Sequence, residues 1–87
     1  MADQATVSVT LDRDEALALF AFLAREIDDT DVARLRSLAH HDGELWSLNG
    51  LYLQLERVLA EPFAGDYAEK LADALGALVE RRGSWPE

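Results

Sequence analysis

The sequence predicts a mainly α-helical fold: a small bundle of three to four helices led by one N-terminal β-strand. Three observations carry this. Two segments, 13–27 and 67–82, place apolar residues at helical spacing between recognisable caps. Six residues ahead of the first segment alternate strictly between small hydroxyl and apolar side chains. The whole chain is 87 residues, 49% apolar and 29% charged, which is one small globular domain spanning 1–87 with flexible ends at 1–5 and 84–87.

The strand comes first. Thr6, Ser8 and Thr10 fall on one side and Val7, Val9 and Leu11 on the other, the period of a half-buried strand. Asp12 then caps a helix, with Glu15 at the spacing of a capping box. Ala16, Leu19, Phe20, Leu23 and Ile27 form one stripe, which Leu17 and Phe22 widen, so this helix calls for neighbours on more than one side. Asp28, Asp29, Thr30 and Asp31 read as a turn that caps a second helix over 32–41, with Leu35, Leu38 and Ala39 inward. Asp42 and Gly43 break or kink it.

From Leu45 two readings compete. Asn49-Gly50 is a hairpin signal, and Leu51, Leu53 and Leu55 alternate after it. Against this, Leu45, Leu48, Tyr52, Leu55 and Leu59 fall at helical spacing over fifteen residues, longer than most strands. Asn and Gly together cost roughly 1–2 kcal/mol inside a helix, less than burial of these large residues returns. Helix is the preferred reading. Pro62 ends it, and Asp66 with Glu69 gives a second capping-box spacing. Tyr67, Leu71, Leu75, Leu78 and Val79 line the last helix, which Arg81, Arg82 and Gly83 close.

With the middle segment helical, the chain offers no second strand. Residues 6–11 then need a partner from another molecule, and two antiparallel copies across a two-fold axis supply one. The strand is therefore expected to pair between subunits of a homodimer. Burial across such an interface also helps a chain this short, which can remove only about 60–65% of its surface from water alone.

The segments TLDRDEALALFAFLAR (10–25), Leu45-Trp46 and LERVLAEPFAGDYAEKLADA (55–74) resemble a family of short, acidic, uncharacterised bacterial proteins. Its pattern is a short strand, D/E-E-A-x-x-L-F-x-F-L, then L-W, L-E-x-x-L-x-E-P-F and a tyrosine helix. The likeness covers about two-thirds of the chain, with Glu61-Pro62-Phe63 as its most specific piece, and residues 42–49 depart from it. It implies helices over a hairpin. It implies no activity and no catalytic residue.

Chemistry has little to stand on. There is no cysteine, so thiolate zinc sites and thiol nucleophiles are out. His40 and His41 are neighbours, and adjacent side chains on a helix diverge by about 100°, so no metal site is expected. Most acids fall on polar helix faces or in caps, and no nucleophile elbow or phosphate loop is present. No catalytic residue, cofactor or metal is expected, and the protein is read as a non-enzyme. The start of the chain lacks the look of a secretory signal, and the longest apolar run, 16–24, is too short for a bilayer, so a cytoplasmic protein is expected. Fourteen alanines and seven arginines beside one lysine point to GC-rich coding and a bacterial source.

Charge is the uneven feature. The net charge is −9, which excludes a phosphate-gripping surface and so nucleic acid as partner. Residues 1–31 hold eight acids and two arginines, a net −6. Within them Asp28 and Asp29 lie at the wrong end of the first helix's dipole. Trp46 is expected in the core. Trp85, beyond the last helix, either folds back or anchors a partner. These features predict an acidic protein–protein interaction module, an inhibitor of immunity or antitoxin type that neutralises a basic partner protein through Asp28, Asp29, Asp31 and Trp85. The alternative is a self-assembling homodimeric structural or regulatory subunit.

Overall fold

A computed structural model describes residues 5–59 and 65–86. The described elements are α1 (Arg13–Leu23), a π-helical turn (Ala24–Asp29), α2 (Ala33–Leu38), α3 (Asp42–Val58) and α4 (Tyr67–Arg82). No helix among them is long and apolar enough to cross a membrane.

α1 begins where its capping box sets it. The Glu15 backbone N–H donates to Asp12 Oδ1 at 2.8 Å, and Glu15 Oε1 accepts from the Asp12 N–H at 3.2 Å. That backbone donor holds the Asp12 carboxyl below its ordinary range, helped by Arg81. α1 is the hub of the bundle and packs against both α3 and α4. Ala16, Phe20 and Leu23 meet Tyr52 and Leu55 of α3, with Leu11, Leu48 and Leu51 around them. Leu17, a third of a turn round, is buried on the other flank and shares a shallow hollow with Ala74 of α4. The wide stripe of α1 thus splits into two seams.

α4 runs antiparallel to α1, because Arg81 and Arg82 of its last turn reach Asp12, Asp14 and Glu15 at 3.3–3.5 Å. Its cationic end thereby meets the acidic start of α1, and Gly83, with φ 82°, closes it. α3 is one continuous helix through Asn49 and Gly50, which rules out the hairpin.

Several expectations are corrected. Residues 6–11 form no strand: among the described residues they meet no second edge, and the helices beside them cannot offer a ladder. With no strand, pairing of Thr6, Val7, Ser8, Val9, Thr10 and Leu11 between subunits has no support in the fold. The second helix is shorter than 32–41, and Leu38 faces solvent. Asp42 and Gly43 start α3 instead of breaking a helix, because His41 Nδ1 accepts from the Gly43 N–H at 2.8 Å as its cap. Asp66 makes no capping hydrogen bond; its carboxylate pairs with Lys70 at 3.7 Å. Trp46 is not in the core but 72% exposed. Pro62, the Glu61-Pro62-Phe63 motif and the outer chain ends, 1–4 and 87, lie outside the described residues.

Candidate functional site

Two features stand out from the bundle, an acidic corner and an apolar groove. The corner follows α1. There the chain widens into the π-helical turn, a local form found often at special sites. It is followed by Asp31 and Val32 with φ of 52° and 53°. Glu26 is only 5% exposed, yet it is charged and satisfied. Arg34 grips it with two donors, Nε to Oε1 at 2.9 Å and Nη2 to Oε2 at 2.5 Å, while Arg25 Nε donates to Oε2 at 2.9 Å. The hydrogen bond from Arg25, then those from Arg34, hold the Glu26 carboxyl below its ordinary range against the opposing effect of burial. Thr30 Oγ1 donates to the Glu26 carbonyl at 2.9 Å and ties off the turn.

Asp28, though exposed, has a partner of its own. Its Oδ2 accepts the hydroxyl of Tyr52, a buried residue of α3, at 2.5 Å. That bond, with burial and the charges of Asp28, Glu56 and Asp29, pushes the phenol up to about 12. The apparent breach of the dipole rule thus has a return: Asp28 fastens the end of the first helix to α3. Asp29 and Asp31 are exposed as well.

The groove, about 800 Å³, lies between residues 7–11, α1 and α3. Val7, Val9 and Leu11 form one wall; Leu51, Leu55 and Val58 form the other. Val7 and Val9 are 87% and 77% exposed, and Val58 is also open to solvent. Trp46 stands at the edge and also borders a second hollow, about 420 Å³, beside Ile27, Val32 and Arg36.

The expected site residues do not converge. Asp28, Asp29 and Asp31 sit at the far end of the first helix, whereas Trp85 follows α4, whose end lies against the start of α1. Trp85 does not fold back: it is 90% exposed. Reading the sequence missed Glu26 and the Tyr52–Asp28 pair. Glu26 had a signal, since it continues the Leu19, Leu23 spacing onto the buried face. Among the described residues no three His, Cys, Asp or Glu side chains gather as metal ligands do. No family model matches the sequence, and no curated protein and no solved structure is significantly similar to it.

Proposed function

We propose that this chain works by binding another protein and not by catalysis: an acidic inhibitor of immunity or antitoxin type. Its groove takes an extended apolar segment of a basic partner. The observation that carries the reading is the groove itself. Val7, Val9 and Val58 are gathered around one concavity instead of being scattered, and clustered apolar surface of this kind is surface that a partner covers. Residues 7–11, which hold no regular secondary structure, run along the rim, where a partner segment can pair with them as a strand. The net charge of −9 selects a partner of opposite sign and speeds its approach. Asp29 and Asp31 carry outward charge at the corner, while Asp28 is occupied by Tyr52.

The test compares capture from the source cells by the wild type and by Val7→Asp with Val9→Asp, followed by kinetics with the purified captured protein. The expected partner is basic, is retained by the wild type and is lost by the double variant. Its association should slow several-fold between about 50 and 500 mM salt, and Asp29→Asn with Asp31→Asn should flatten that slope. An acidic partner, or association indifferent to salt, overturns the reading.

A further inference from the structure

The outer face of α3, on the side away from Tyr52 and Leu55, carries a pattern that meets the groove only at Trp46 and Gly50. At 100° per residue, Asp42, Trp46, Leu53 and Arg57 fall within an arc of about 60°. All four are exposed. Asp42 and Arg57 have no ion pair among the described residues. Between them lies Gly50, which has an ordinary helical φ and open space where a Cβ would be, so nothing within the chain calls for a glycine there.

The spacing is self-complementary. Asp42 and Arg57 are fifteen residues apart, about 22 Å along the axis, and Trp46 and Leu53 are seven apart, about 10 Å. Both pairs share one midpoint, between Asn49 and Gly50. A second copy of the helix, laid antiparallel across a two-fold axis at that midpoint, brings Asp42 opposite the other copy's Arg57 and Trp46 opposite its Leu53, each contact made twice. The bare backbone at Gly50 sits at the crossing, where it allows close approach. A parallel copy would set Asp42 against its own twin and Arg57 likewise, which repels. Each charge also suits the dipole of its own helix, so the register, and not the charges alone, identifies the occupant.

We infer that the outer face of α3 is a homodimer interface, in which two α3 helices cross antiparallel at Asn49–Gly50. Asp42, Leu53 and Arg57 lie outside the groove's lining and only Trp46 and Gly50 border both surfaces, so the two readings are tested through different residues.

Sedimentation equilibrium on the whole chain tests it. The wild type should be a concentration-dependent dimer. Asp42→Arg and, separately, Arg57→Asp should each weaken it by about tenfold, since each places like charges opposite one another twice. Combined in one chain, the two reversals should restore dimerisation. That recovery is decisive, because the double reversal is also the worst case for the dipole of each single helix. Asn49→Cys should cross-link on oxidation in this cysteine-free protein, while Trp85→Cys should not. Val7→Asp with Val9→Asp should leave the dimer intact, which keeps a failed groove separate from a failed interface. A wild type that stays monomeric up to about 1 mM overturns the inference, and so does a double reversal that binds no better than either single one.

Discussion

The Tyr52 hydroxyl and the Asp28 carboxylate form a hydrogen bond between residues twenty-four apart, and that bond has a measurable pH signature. The phenol is raised to about 12 in the folded protein, from about 10 in an unfolded chain. A raised pKa means that folding favours the protonated form. The stabilisation is therefore complete below pH about 10 and is lost as pH rises through about 12. Tyr52→Phe keeps the ring against Phe20, whose centroid lies 5.3 Å away, but removes the donor. It should cost about 1–2 kcal/mol near neutral pH, between the values for a neutral hydrogen bond and for one to a buried charge, because Asp28 is exposed. The gap between variant and wild type should then close between about pH 10 and 12. Urea midpoints measured across that range check it; a gap constant with pH means that the hydroxyl is not held as described.

At the scale of the element, the turn after α1 contains the costliest backbone in the described chain. Val32 takes φ 53°, a left-handed conformation that a β-branched side chain enters at a penalty of about 1–2 kcal/mol. It is held there because its neighbours over-determine it. The Val32 N–H donates to the Ile27 carbonyl at 3.2 Å, and Arg34, two residues on, is clamped to Glu26. Val32→Gly should relieve the strain and, after the greater entropy of a glycine in the unfolded chain, stabilise the protein by about 0.5–1 kcal/mol. Asp31→Gly should do much less, since a short polar side chain tolerates that conformation. Thermal midpoints of both variants check this, and a destabilised Val32→Gly would remove strain from the account. This corner was not legible in the sequence, which reads it as a turn and a capped helix. Caps and periods are local signals, and they served well for α1, for α3 across Asn49-Gly50 and for the Gly83 end of α4. The corner instead depends on Glu26 meeting Arg34 and Asp28 meeting Tyr52, contacts that no local pattern encodes.

For the molecule as a whole, Val7, Val9 and Leu11 do line one groove and Leu11 packs against the core, but alternation says nothing about whether an edge lies alongside. Trp46 was misjudged for a related reason: an apolar helix has an outer face, and size alone does not assign a tryptophan to the inner one. Phe20 was legible because it lies mid-stripe on α1, the helix that packs against both α3 and α4. The described core is small, with Leu17, Phe20, Leu23, Tyr52 and Leu55 as its large buried members, and three of these five belong to α1. Seams to α3 and α4 both run along α1, so loosening α1 releases both partners together. Phe20→Ala removes a buried ring that contacts Tyr52 and leaves a cavity, a loss of about 3–5 kcal/mol. A chain of 87 residues has about 4–13 kcal/mol of total stability, so the variant should lose a large part of it and melt well below the wild type. Because α1 joins the seams, far-ultraviolet helix signal and tyrosine environment should be lost in one transition. Denaturation of the variant followed by both probes checks the argument. An unchanged midpoint would place Phe20 outside the core, and two separated transitions would mean that α4 is held by something other than α1.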